Sequence, residues 1–170
     1  KSEIFTGLDS DGISIINRDS PYFDLMNKHA KNYSNNVFSF GENKNSDIQL
    51  IKYVLHDDCS CISVNVFGEK VTLKIGIPGR HFVQNSLAVL GAVKVSGGDL
   101  TLACLSLASL KSLKGRGEKK IIKLKEGNFE LIDESYNASP ASMHAAISFF
   151  KTYKVNLIGR KIIALGDMLE

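Results

Sequence analysis

Residues 133–143, Asp-Glu-Ser-Tyr-Asn-Ala-Ser-Pro-Ala-Ser-Met, stand between a strand-like run and a helix-like one. After them Met143, Ala146, Ile147 and Phe150 recur at i, i+3, i+4 and i+7, the spacing of a helix lying on a sheet. Ser139 is suited by type to cap that helix, and Pro140 to occupy its first position. Strand, polar turn and helix in this order constrain the chain to an α/β arrangement. Open α/β sheets keep ligands beyond the carboxyl ends of their strands. The positive end of the following helix makes such a turn a natural seat for a nucleotide or a phosphate. Asp133 and Glu134 there could accept hydrogen bonds from ribose hydroxyls, or one could simply hold the turn.

Earlier parts of the chain extend the same pattern. Gly12–Asn17 reads as a short buried strand, Pro21–Lys31 as a helix and Val37–Phe40 as another strand ending at Gly41. Segments 47–56, 59–67 and 71–77 form a β-meander, with Asp57-Asp58 and Gly68-Glu69-Lys70 as turns. A helix over 81–95 is apolar from Leu87 to Val93, which predicts burial on most sides. Asp99 caps a second helix that runs to about Leu110. The polar, basic stretch Lys111–Lys120 reads as an interdomain linker. Beyond it Ile121–Lys125 and Asn128–Asp133 form a hairpin around Glu126-Gly127. Lys161–Gly166 reads as a buried strand that completes a right-handed βαβ unit with the strand before 133.

Charge and composition narrow the function classes. The net charge is +3, yet Lys111–Lys125 alone carries seven basic residues and one acid, so the remainder sums to −3. That basic stretch has no aromatic residue on which a base could stack, which argues for a solvated linker rather than nucleic-acid binding. No apolar run approaches the roughly 18 residues of a membrane span, and no charged-then-apolar leader opens the chain. Three cysteines make no disulfide scaffold, and Cys59-x-Cys61 lacks a second ligand pair for zinc. A reducing, cytoplasmic compartment and a monomer are the simplest expectations. His29, His56 and His144 have no partner at a metal or triad spacing. The sequence contains no G-x-x-x-x-G-K-[ST] phosphate loop. Asn85 lies one turn into the 81–95 helix; its amide could read an adenine edge by donating and accepting together, or could bond nearby backbone.

Taken together, these segments resemble the Mur ligases. Lys1-Ser-Glu-Ile-Phe-Thr-Gly-Leu8 is similar to that family's K-x-E-I-F-x-G-L, and Asn17-Arg-Asp19 to its N-x-D. Gly79-Arg-His-Phe-Val-Gln-Asn-Ser-Leu-Ala88 resembles G-x-H-N-x-x-N-x-L-A, and Gly115-Arg-Gly117 the P-G-R turn. Residues 133–143 resemble D-[DE]-S-Y-N-A-N-P-x-S-M, and Leu165–Glu170 resembles L-G-D-M-x-E. The Tyr136-Asn137-Ala138 form favours the MurF type, which adds D-alanyl-D-alanine, over sister ligases that add a single amino acid.

The resemblance implies an ATP-dependent amide ligase of peptidoglycan precursor synthesis, working through an acyl phosphate on a UDP-N-acetylmuramoyl peptide. Residues 1–113 would be the later half of its central ATPase domain, and 114–170 the start of a Rossmann-like C-terminal domain. Its phosphate loop would precede Lys1, so this chain alone is expected to lack ligase activity. Lys1 matches the lysine that the family carbamylates, which would make it catalytic and a ligand for Mg²⁺. Asn85 matches the adenine-reading asparagine, and Arg116 the arginine that covers the nucleotide. Asp133 and Glu134 match the acidic pair near the ribose, with Tyr136 and Asn137 lining the same turn. His81 fits its motif, where a structural role suits it equally. Two positions depart from the pattern: Phe82 and Ser139 both stand where the family has asparagine.

Overall fold

The structure is a computed structural model that describes residues 2–112, 114–155 and 159–168. The chain divides into two compact units, Lys1–Leu110 and Lys111–Glu170.

Unit 1 opens with a 3-10 turn, Ser2–Gly7. It continues through β1 (Ile13–Asn17), α1 (Phe23–Lys31), β2 (Asn36–Gly41), β3 (Ile48–Leu55), β4 (Ser60–Val66), β5 (Glu69–Ile75), α2 (Arg80–Val95) and α3 (Leu100–Ala108). The five strands form one sheet in sequence order, with β1, β2 and β3 parallel and β3, β4 and β5 an antiparallel meander. Parallel neighbours usually need a long crossover, and α1 supplies it between β1 and β2. The step from β2 to β3 avoids one because only Phe40 and Gly41 pair with Ile48 and Gln49. The chain sidesteps there instead of turning back. Asp47 fixes the step, its Oδ2 accepting from the Ser39 amide and hydroxyl, each at 2.7 Å.

Strand alternation then assigns each side chain to a face. In β4 every second residue from Ser60 to Val66 is buried. Ile62, Val64 and Val66 join Ile48, Leu50, Leu73 and Ile75 under α2, which inserts Val83, Leu87 and Leu90. Leu100 and Leu107 of α3 close the same core. Ile15 packs against this core, while Ile16, its neighbour on the opposite face, packs with Ala30 of α1 and Phe5. The sheet therefore carries α2 and α1 on opposite sides at β1. A bulge between Leu50 and Lys52 keeps Tyr53 on the core side after the extra residue.

Helix ends follow local chemistry. Asp99 caps α3, its carboxylate accepting from the Thr101 amide at 2.6 Å and the Leu102 amide at 3.3 Å. The entry to α2 is held by the fully buried Ser60, whose hydroxyl donates to Ile77 O and accepts from Gly79 N, both at 3.2 Å. A β4 side chain thus sets where α2 starts. The burial of α2 corrects the sequence reading. Val83, Ser86, Leu87, Leu90 and Gly91 are buried in one helical stripe, while His81, Asn85 and Val89 are exposed. Alanines and valines on the far side made the helix look apolar all round, although only one face meets the sheet.

Unit 2 comprises β6 (Glu118–Leu124) and β7 (Gly127–Asp133), paired antiparallel, followed by α4 (Pro140–Thr152). β6 begins inside the segment read as linker, because the ladder continues through the Glu118–Asp133 pair. Ser139 caps α4, its hydroxyl accepting from the Ser142 amide at 3.3 Å, and Pro140 opens the helix as its fixed φ allows. The expected strand at Lys161–Gly166 does not form. These residues have no regular structure and are exposed. An apolar run becomes a strand only through a ladder partner, and the sheet of unit 2 contains β6 and β7 alone among the described residues. Lys161 instead donates to the carbonyls of Phe150 (3.1 Å) and Lys151 (2.8 Å) at the end of α4.

Candidate functional site

Lys1 lies outside the described residues. Asn85 belongs to unit 1, and Arg116, Asp133, Glu134, Tyr136 and Asn137 all belong to unit 2.

In unit 1 the carboxyl ends of β1 and β2 meet the first turn of α2. Asn17 Oδ1 accepts from the Asp19 amide at 2.8 Å, which turns the Asp19 carboxylate toward the end of β2. That carboxylate accepts from the Glu42 amide at 2.7 Å and the Asn43 amide at 3.1 Å. Gly41 passes directly beneath it with φ +152°, and a Cβ there would lie 2.5 Å from Asp19 Oδ2. Arg80 at the start of α2 donates to Glu42 Oε1 at 2.6 Å, and Gln84 reaches both acids at 3.4 Å. The Glu42 carboxylate holds the Arg80 guanidinium above its usual range. This network pins α2 by its amino end and leaves the adjacent helical face open. His81 and Asn85, four residues apart, share that face. The His81 ring folds against Phe82, with centroids 4.0 Å apart. Asn85 is exposed, and its side chain makes no hydrogen bond among the described residues. Its amide is therefore free to donate and accept outward, rather than buried and in need of a partner.

Asp19, Glu42 and Arg80 are the residues that sequence reasoning left without a role. The signal was present: an acid just past one strand and a glycine closing the next.

In unit 2 two turns clasp each other. Gly117 N donates to Asp133 O at 2.9 Å, and Tyr136 N to Gly115 O at 3.0 Å, so the β6–β7 pairing continues past the strand ends. Gly115 and Gly117 have φ of +73° and +75°, a conformation that residues with a Cβ rarely adopt. The double reversal lifts Arg116 off the backbone and sets its guanidinium carbon 4.2 Å from the centre of the Tyr136 ring. Asn137 Oδ1 accepts from the Ser139 amide at 3.1 Å, tying the turn to the cap of α4. An open depression of about 550 Å³ lies beside these turns, lined by Lys114, Gly115, Asp133, Ser135 and Tyr136.

The two acids of the turn behave oppositely. Asp133 is held below its usual range by the Ser135 hydroxyl (2.6 Å) and the Ser135 amide (3.1 Å), helped by Lys120 and Lys114. Burial raises Glu134, and repulsion from Asp133 adds to this against the Gly117 amide and the Arg116 charge. An NMR carboxyl titration should therefore find Asp133 below and Glu134 above their ordinary values, with Ser135→Ala raising Asp133. The linkage signs differ too. Asp133 stabilises unit 2 above its unfolded pKa, and that contribution is lost as pH falls through its depressed folded value. The Glu134 contribution is greatest below its unfolded pKa and is lost as pH rises through its elevated folded value.

An ionised acid and an aromatic ring on the wall of one depression, with a planar cation over that ring, can bind a sugar's hydroxyls and a flat base. Lys114 adds a charge suited to phosphate. Among the described residues no group of three or more His, Cys, Asp or Glu could hold a metal ion. No described helix is long and apolar enough to cross a membrane.

Residues 1–93 match the family model described as the Mur ligase middle domain. The UDP-N-acetylmuramoyl-tripeptide–D-alanyl-D-alanine ligase of Rickettsia prowazekii is 31% identical over the whole chain, which spans 36% of that protein. Among solved structures, MurF from Acinetobacter baumannii superposes with a TM-score of 0.78 at 24% identity, covering 91% of this chain and 32% of that one. MurF from Thermotoga maritima in complex with ADP gives 0.66 at 24% identity, covering 85% and 32%. These structural likenesses speak for the fold. The chain thus spans about a third of the length of the relatives it matches. Since the middle-domain match takes in more than half of the residues, and the sheet with its two helix layers agrees with it, this chain belongs to the Mur ligase family.

Proposed function

We propose that the chain is part of an ATP-dependent carbon–nitrogen ligase of the MurF type. The enzyme would join D-alanyl-D-alanine to a UDP-N-acetylmuramoyl-tripeptide in peptidoglycan precursor synthesis. The observation that carries this reading is the clasp of 115–117 on 133–137, which sets Asp133 and Tyr136 on the wall of one depression and Arg116 over the Tyr136 ring. The choice of reaction rests on the name of the relative aligned along the whole chain. In this reading residues 1–113 form the later half of a central ATPase domain and 114–170 the start of a Rossmann-like C-terminal domain. The enzyme works as a cytoplasmic monomer.

ATP would supply the activation: transfer of its γ-phosphoryl group to the peptide carboxylate would release ADP, and the dipeptide amine, losing a proton, would then displace phosphate from the acyl carbon. The chain's own residues bind and orient the nucleotide. Asn85 offers an amide to the adenine edge, donating and accepting at once. In unit 2, Arg116 offers a planar cation on which a base can stack. Asp133, ionised over the widest pH range of the turn, accepts from ribose hydroxyls, while Glu134 and Asn137 shape the turn. Lys1, as its carbamate, would be the oxygen ligand for Mg²⁺.

Phosphate release by the enzyme that carries this chain tests the reading, with the UDP-linked tripeptide and a choice of amines. Release that depends on D-alanyl-D-alanine is expected. Release with a single amino acid instead would make it a sister ligase. ATP binding without turnover on any amine would leave a non-catalytic nucleotide module. The 170-residue chain alone, which has no phosphate-loop motif, should release none.

A further inference from the structure

We infer that Tyr136 is a positioning residue, holding the Arg116 guanidinium flat with one face presented for a nucleotide base. This deepens the nucleotide-site reading above and rests on it. A free arginine side chain samples many rotamers, and fixing it on binding weakens affinity. Here the fixing is already done. The guanidinium carbon lies 4.2 Å from the Tyr136 ring centre, within cation–π range. Arg116 makes no ion pair among the described residues; Glu134 feels its charge, and the Tyr136 ring is the side chain over which its guanidinium carbon lies.

Tyr136 is 68% exposed and takes no part in the core. Its backbone is nevertheless fixed by the bond from its amide to Gly115 O. The fit on the other side is close: a Cβ at Gly115 would stand 3.2 Å from both the Tyr136 nitrogen and its Cβ. Two glycines in the left-handed region and one main-chain bond thus bring an exposed ring under an exposed cation. A guanidinium stacked on the ring at this distance has one face against it. The other is left for a second flat partner, giving the order ring, guanidinium, base.

The test measures ADP affinity by calorimetry in the enzyme that carries this chain, with inorganic tripolyphosphate as the base-free probe. Tyr136→Leu should weaken ADP by about two- to fivefold, as an exposed cation–π contact implies, while tripolyphosphate binding is unchanged. Tyr136→Phe, which keeps the ring, should restore the affinity. Tyr136→Leu added to Arg116→Ala should cause no further loss, because its effect runs through the arginine. Full additivity of the two changes, or equal weakening of tripolyphosphate, would overturn the inference. Loss of ADP affinity in Arg116→Ala with wild-type affinity in Tyr136→Leu would overturn the positioning role alone. Wild-type ADP affinity in Arg116→Ala would sink the nucleotide-site reading itself, and the inference with it.

Discussion

Leu87→Ala should destabilise unit 1 by about 2–5 kcal/mol, the usual range for a fully buried leucine. Leu87 is wholly inaccessible and sits in the stripe of α2 that packs on the sheet, one turn beyond Val83 and one short of Leu90 and Gly91. Truncation removes transfer energy and leaves a cavity that its neighbours cannot easily fill. Ile48, Val64 and Ile75 are held by the ladder of the sheet, and Gly91 already brings α2 so close that a Cβ there would lie 2.8 Å from Ile48 Cδ1. Urea unfolding followed by circular dichroism checks this through a lower midpoint at unchanged slope. Leu87→Met, which conserves volume, should lose less than about 1.5 kcal/mol.

Gly76→Ala should have the next largest effect, about 1–3 kcal/mol or more as overpacking goes. The new methyl group would collide with Leu110 O and lie 2.6 Å from Ala108 O. Both are backbone atoms, at the end of α3 and two residues past it, so no side chain can swing aside. The Gly76 amide also donates to Leu107 O at 2.9 Å, so the backbones are held together where the methyl group must go. Relief would lift the end of α3 and disturb the Ile77–Gly79 passage that Ser60 holds at the entry to α2. Gly76→Ala should therefore lower the thermal midpoint and alter the NMR shifts of His81 and Asn85. A midpoint within a degree of the unsubstituted protein would contradict this packing account.

Elements whose information is local were legible in the sequence. Alternation over 59–67, with acidic and glycine turns on either side, specified the meander. Asp99 and Ser139 marked the starts of α3 and α4 because their side chains bond amides two or three residues away. Whatever depends on distant partners was not legible. No period links Asp19 to Glu42, 23 residues on, or Arg116 to Tyr136; only the completed sheet and hairpin bring those pairs together. The face of α2 that carries Asn85 was misjudged for the same reason, since composition gives the number of apolar residues but not which side meets a sheet. Lys161–Gly166 shows the limit from the other direction: apolar composition without a ladder partner does not make a strand.

That the nucleotide is an adenine one depends on Asn85 addressing the base edge from the open face of α2. The affinities of the parent enzyme for ADP and GDP, with and without Asn85→Ala, test that most directly. An amide paired with a base edge discriminates by about 1–3 kcal/mol, so ADP binding should weaken roughly tenfold and GDP binding should not change. Unaltered ADP affinity in the alanine variant would contradict the account.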